Sequence, residues 1–253
     1  MTNLIKSAVG KNSIAPPNQV RVFATAAEER DTYAPAARQQ KERIPESDLL
    51  GHWNVCAQRP GLQAVMSARH PLEENEAAAA ELQRDILDFL GGVLADARVF
   101  ELGVGIGRMT SMLARFAREV VGCDISPIML ARARENLAGF GNVTLNLGKI
   151  TELEFPPKSF DLVFDSIVLL HILSPSELRR TVRKMQDLSD RIFMVEHTYE
   201  RPDFPISKYS ILRTPGEYVQ LFKPYMLVDQ RTHFCAGDTF TMMLFENPEL
   251  HFY

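Results

Sequence analysis

Cysteine is scarce in this sequence. Cys56, Cys123 and Cys235 are odd in number and far apart along 253 residues, which suits neither a disulfide framework nor the spacing of a zinc cluster. No metal is expected, and a reducing, cytoplasmic setting is. Long apolar runs are missing too: none approaches a membrane span, and the opening "MTNLIKSAVGKNSIAPP" has no unbroken apolar core of the signal-peptide kind. A membrane is therefore not an expected partner. Nor is there an excess of positive charge. Against 28 Lys and Arg stand 32 Asp and Glu, a net charge of −4, which gives no global attraction to nucleic acid. What remains is an ordinary globular composition, 45% hydrophobic and 24% charged, with enough length for one domain and a cap, or at most two small domains.

Residues 1–48 are rich in Ala, Pro, Gln and charge, and Pro16-Pro17, Pro35 and Pro45 break any periodicity, so they read as an adaptable arm. Residues 49–90 read as a helical cap segment. "GHWNVCAQRPGLQAVMSAR" is too apolar for a linker, and Leu82, Ile86 and Phe89 fall at helical spacing before Gly91-Gly92. From 91 to 253, apolar runs alternate with helical patterns. Val99–Leu102, Glu119–Asp124, Thr144–Leu147, Asp161–Leu169 and Arg191–Glu196 predict strands of a parallel sheet with crossover helices. Leu227–His233 and Thr239–Phe245, separated by Gly237-Asp238, predict a final antiparallel hairpin. The fold expected is α/β: a doubly wound, mostly parallel seven-stranded sheet with an N-terminal helical cap. Helix starts are marked at Ser126-Pro127, and by capping boxes at Ser174–Glu177 and Thr214–Glu217.

The stretch "VFELGVGIGRMT" puts glycines at 103, 105 and 107, where a strand turns into a helix. Glycine there lets the backbone turn sharply and approach a ligand closely. The second predicted strand ends in Asp124, 21 positions after Gly103, where a carboxylate can accept from both hydroxyls of a ribose. Together these features point to a nucleoside ligand.

The consecutive segments "VFELGVGIGR", "VVGCDISPIMLARARENL" and "LGKITELEFPPKSFDLVFDSIVLLHI" resemble, in order and spacing, the motifs of class I methyltransferases that use S-adenosylmethionine (SAM). The resemblance covers Val99 to about Ile172. It implies SAM as cofactor and S-adenosylhomocysteine (SAH) as product. Gly103, Gly105 and Gly107 would lie against the methionine part of the ligand, with Glu101 bracing the turn or the ammonium and Arg108 pairing with the carboxylate. Asp124 would hold the ribose, and Ile125 and Met129 would cover the adenine. Lys149 stands where the family often has an acid, which leaves the backbone at Ile150 to meet the adenine amine. Asp165 and Ser166, at the end of the fourth strand, would face the amino-acid end of the cofactor or the acceptor.

Methyl transfer asks the protein mainly to align a nucleophile and set its protonation. His197 and His171 are the candidate bases, His197 slightly favoured because "MVEHTYE" closes the fifth strand at the same edge, and Asp165 is a third candidate. Adjacent strand residues point oppositely, so at most one of Glu196 and His197 should face the pocket. An acceptor-covering insertion is expected at about 198–214, offering Tyr199, Tyr209 and Arg213, with Trp53 and Arg59 as the facing half of a lid. Arg179, Arg180, Arg183 and Lys184 read as a solvated helix face.

The function expected is transfer of the sulfonium methyl to an oxygen or nitrogen of a small molecule, a secondary metabolite or modified sugar. Two alternatives stay open. "GVGIGRMT" followed by "LLHILSPSEL" also resembles enzymes that methylate protein amino groups, although Lys208, Arg201 and Arg213 argue against a channel for a basic tail. A SAM-fold partner protein without transfer activity is the other.

Overall fold

In a computed structural model, described for residues 35–198, 207–235 and 238–251, the residues belong to one unit beginning at Pro35. Two short helices come first, α1 (Pro35–Lys41) and α2 (Glu46–Cys56), followed by the long α3 (Leu72–Leu90). Alternation then begins: β1 (Arg98–Leu102), α4 (Arg108–Leu113), β2 (Glu119–Asp124), α5 (Pro127–Asn136), β3 (Val143–Leu147), β4 (Leu162–Ser166), α6 (Pro175–Leu188) and β5 (Arg191–His197). The chain continues through α7 (Pro215–Leu221), β6 (Met226–Cys235) and β7 (Asp238–Glu246). The seven strands form one sheet in the order β3-β2-β1-β4-β5-β7-β6. The pairs among β1 to β5 are parallel, and β7 runs antiparallel to both β5 and β6. The expected α/β fold with a C-terminal hairpin is therefore the one adopted.

Strands buried on both faces need two helical layers. Phe100, Val121, Val163, Ile192 and Met194 pack with Leu178, Val182 and Met185 of α6 and Tyr218 of α7 on one side. Their sequence neighbours Val99, Val120, Leu162, Phe193 and Val195 pack with Leu82, Ile86 and Phe89 of α3 and with Met109 and Met112 of α4 on the other. The helix starts behave locally as read: Ser126 Oγ accepts from Met129 N, Ser174 Oγ from Glu177 N and Thr214 Oγ1 from Glu217 N. Only the third is a reciprocal box, for Glu217 also accepts from Thr214 N, whereas Glu177 turns to Thr151 and Arg180.

Two boundaries differ from the sequence reading. The fourth strand stops at Ser166, because Ile167 takes a positive φ of 61° and Leu169–His171 curl into a 3-10 turn. The division at 48/49 falls inside α2, which starts right after Pro45 with Glu46 and Asp48 in its first turn; acids there suit the positive end of the helix dipole. The segment after α2 is pinned to α5 by Arg132, which donates to the carbonyls of Ala57 and Arg59 at 2.7 and 2.8 Å. Trp53, Ala64 and Val65 then pack on Ile106 and Met129, setting the cap over the carboxyl ends of β1 and β2.

Candidate functional site

A cavity of about 270 Å³ opens at those strand ends, under the cap. Its floor is the turn after β1. Gly103, Gly105 and Gly107 all have positive φ, at 68°, 54° and 87°. A Cβ on Gly103 would lie 2.4 Å from Val168 Cγ2, and one on Gly105 would lie 2.8 Å from Val65 Cγ1. Both the backbone conformation and the packing thus require glycine. Gly107 does not line the cavity; it caps α4 and backs onto Leu137.

Asp124 fixes the turn from the next strand. Its Oδ2 accepts from Gly105 N and its Oδ1 from Ser126 N, each at 2.8 Å. The carboxylate lines the cavity, and four lone-pair sites leave it room for two more donors.

At the other end of the turn sit Glu101 and Arg108. Glu101 is 2% exposed and its Oε2 has no partner, and Arg108 Nη1 is likewise buried without one. Burial pushes the Glu101 carboxyl up to about 7 against the opposing pull of Thr110 and Arg108, and burial brings the Arg108 guanidinium down to about 10, so it stays charged. Buried polar atoms without partners cost free energy. Here they offer an acceptor and a cationic donor side by side, which suits a ligand end bearing both ammonium and carboxylate. Ser166 Oγ is a third unpartnered atom on the same wall.

Ile125, Met129 and Ile150 line the opposite end as an apolar slot. Lys149 lies at its rim, but its ammonium is engaged: Glu46 of α2 lies 2.5 Å away, and Glu152 3.9 Å. Trp53 and His171 form a further wall, ring to ring at 4.7 Å and 85°.

Residues 99–190 match the family model described as "Methyltransferase domain". Through this segment the chain matches the methyltransferase-domain family, and its fold is that of class I, SAM-dependent methyltransferases. Phosphoethanolamine N-methyltransferase 1 of Caenorhabditis elegans is 30% identical over 129 residues, 51% of this chain and 26% of the relative. Demethylmenaquinone methyltransferase of Tropheryma whipplei is 43% identical over 72 residues, 28% of this chain and 30% of the relative. The chain spans less than a third of the length of these relatives. In fold, the N-methyltransferase NodS of Bradyrhizobium japonicum, solved with SAH, aligns at a TM-score of 0.63 and 14% identity over 79% of this chain and 98% of its own.

Around this methyltransferase domain several expected site residues stand elsewhere. His197 is one correction: it leaves the cavity lining, stacks on Phe240 at 5.0 Å and lies 3.7 Å from Asp238. The cause is the pairing of His197 with Phe240, which turns this strand end toward β7. Asp165 lies behind the wall, fully buried against Glu196, and burial with the neighbouring charge raises it well above the usual carboxylate range. Glu196 is raised too, mainly by burial, and its Oε1 accepts from Leu170 N. Arg213 is 4% exposed and spends its guanidinium on the carbonyls of Leu169, Ile211 and Ile172. Arg213 therefore props the loop that bears His171 and does not line the cavity. The Arg59 side chain is outside the lining, and Tyr209 stands beside it, stacked on His52 at 4.3 Å. Tyr199 lies outside the described residues. Among the described residues, no three His, Cys, Asp or Glu cluster to hold a metal, and no helix is long and apolar enough to cross a membrane.

Proposed function

We propose that this chain transfers a methyl group from SAM to a nitrogen or oxygen of a small-molecule acceptor. One observation carries the reading: a single cavity joins the Glu101–Arg108 pair, the Asp124 carboxylate and an apolar slot, with His171 on its wall. Ammonium and carboxylate of the cofactor fit Glu101 and Arg108, the ribose hydroxyls fit the spare lone pairs of Asp124, and adenine fits between Ile125, Met129 and Ile150.

When bound, SAM supplies a methyl carried on a sulfonium, displaced in line by the acceptor atom. The chain's part is to orient that atom by accepting its hydrogen bond. His171 suits this task. Its Nδ1 lies 2.8 Å from the carbonyl oxygen of Tyr209, which can only accept, so Nδ1 carries the hydrogen and Nε2 the lone pair. Burial first, then the nearby cations, lower this imidazole to about 4. It is thus neutral, a hydrogen-bond acceptor at physiological pH. Trp53 and Ile167 line the cavity beside it.

The relatives' acceptors span a phosphorylated amine, a quinone ring and an rRNA uracil. The cap seated across the cavity favours a compact acceptor over a polymer. A cytoplasmic location belongs to the same proposal, supported by the sparse cysteines.

Calorimetric titration with SAM, SAH and, as control, NADH tests the cofactor, and SAH release with amine, phenol and sugar pools tests the acceptor. Micromolar binding of the adenosyl ligands alone, with turnover on a small-molecule pool, is expected. Binding of NADH, or of nothing, sinks the proposal.

A further inference from the structure

We propose that the groove between α6 and α7 is a second ligand site, built for a phosphate-type dianion and separate from the cofactor cavity. The first turns of α6 divide two spaces. Ser174, Glu177 and Thr181 line the cofactor cavity, while Arg179, Leu178 and Val182 line a second space of about 420 Å³ on the other flank.

The lining of this second space carries an excess of cations. Arg179 and Arg183 stand one turn apart on α6, Lys223 follows α7, and Arg38 comes from α1. Its two carboxylates are already used: Glu217 accepts from Arg38 Nη1 at 2.6 Å and from Thr214 N at 2.9 Å, and Glu42 lies 3.7 Å from Arg38 Nε. Among the described residues, no carboxylate lies within ion-pair distance of Arg179, Arg183 or Lys223.

A second observation separates this groove from a solvated helix face. Arg213, 4% exposed, also lines it. Its Nη1 donates to two carbonyls and its Nη2 to one, and its buried Nε has no partner. Glu196 offsets this buried charge from the inner side; on the groove side Glu42 and Glu217 pair with Arg38, and neither lies within ion-pair distance of Arg213. A desolvated guanidinium at the floor and two guanidinium forks with an ammonium at the rim match the three oxygens of a phosphate group. Leu178, Val182 and Leu221 between them offer apolar surface to the carbon skeleton of an ester.

The proposal does not rest on methyl transfer, and its test reads binding directly. The full chain is titrated calorimetrically, at fixed ionic strength and with chloride as the reference anion, with inorganic phosphate and separately with glycerol 3-phosphate. Saturable one-to-one binding is expected, weakened at least tenfold in Arg179→Ala/Arg183→Ala and unchanged in Arg115→Ala, a surface arginine far from the groove. Tighter binding of the ester assigns the site to a phosphorylated metabolite, and equal or tighter binding of phosphate assigns it to the free ion. Because both groove arginines are exposed, the double variant keeps its fold, which circular dichroism verifies. Absence of saturable binding to wild type, or equal binding by the double variant, overturns the proposal.

Discussion

Val168 Cγ2 occupies the space that a Cβ on Gly103 would need, at 2.4 Å. Two neighbouring strands thus shape one turn: the loop after β4 fills the hollow that the glycine after β1 leaves. Gly103→Ala adds both a clash and a left-handed alanine, a combined cost of about 2 to 4 kcal/mol in unfolding free energy. Val168→Ala in the same chain should return the clash part and leave the backbone part. Denaturant melts of the two single variants and the double give the coupling, and strictly additive losses would show that the two residues do not meet.

Asp124→Asn keeps the size of the side chain but removes the charge and one acceptor. Loss of a charged hydrogen-bond partner is worth roughly 1.5–3 kcal/mol, so SAH affinity should fall about tenfold to a hundredfold. An unchanged dissociation constant in a folded variant would remove the ribose role from Asp124.

Glu101 titrates at about 7 in the free protein, raised by burial above its value in the unfolded chain. Its stabilising contribution is complete at low pH and is lost as pH rises through 7. The ligand-free protein should therefore melt at lower temperature at pH 8 than at pH 6, and Glu101→Gln should flatten that slope. An ammonium-bearing ligand needs the ionised form, so binding at pH 6.5 should release a proton, and SAH affinity should grow as pH rises toward 8. Titration in two buffers of different ionisation enthalpy measures the proton count; a count of zero in wild type refutes the pairing.

His171, lowered to about 4 by burial, is neutral across the working range. Activity should therefore show no inflection from this residue between pH 5 and 8, and protonation of His171 should lower it only as pH drops through about 4. His171→Ala should lower kcat by about 10² to 10⁴ with SAH affinity within about twofold of wild type. A loss confined to SAH binding would assign the ring to the cofactor instead.

The Lys149–Glu46 pair joins the rim of the slot to the cap, and the lysine side chain is 24% exposed. A pair this open is worth about 0–1 kcal/mol. Lys149→Ala should accordingly speed SAH release no more than about fivefold, an effect that disappears in 0.5 M salt. A larger, salt-independent loss would mean that Lys149 holds the nucleoside itself.

The parallel sheet was legible because period and punctuation agree: apolar runs, proline-marked helix starts and the glycine turn each point to the same alternation. That Glu101, Arg108, Asp124, Ile125, Met129 and Ile150 would line one cavity was legible for a related reason, since a turn after β1 and the ends of β2 and β3 must converge on one edge of the sheet. What the sequence hides is the partnering of long side chains across elements. Nothing local to Arg213 tells that its guanidinium ends on the carbonyls of Leu169 and Ile172, some 41 to 44 positions away. His197 looked slightly the better candidate than His171 until β7 paired with β5 and took that strand end with it. The cap contributed Ile44, Glu46, Leu49 and Val65 to the cavity, and a signal for part of this was present: Pro45 followed by Glu46 and Asp48 starts a helix in what reads by composition as an arm.

The position of β7 also dictates an order of assembly. Being the last strand among the described residues yet lying between β5 and β6, it is, among those residues, the one hydrogen-bonded link from β6 to the sheet. On a growing chain, β1 to β5 can pair as they emerge, whereas β6 must wait without a partner until residues 238–246 arrive and slot in beside it. That wait leaves the free edge of β5 and an unpaired ten-residue strand open to other chains. Synthesis is therefore a moment at which this protein is exposed to aggregation, and substitutions that slow β7 insertion should cost yield before they cost stability.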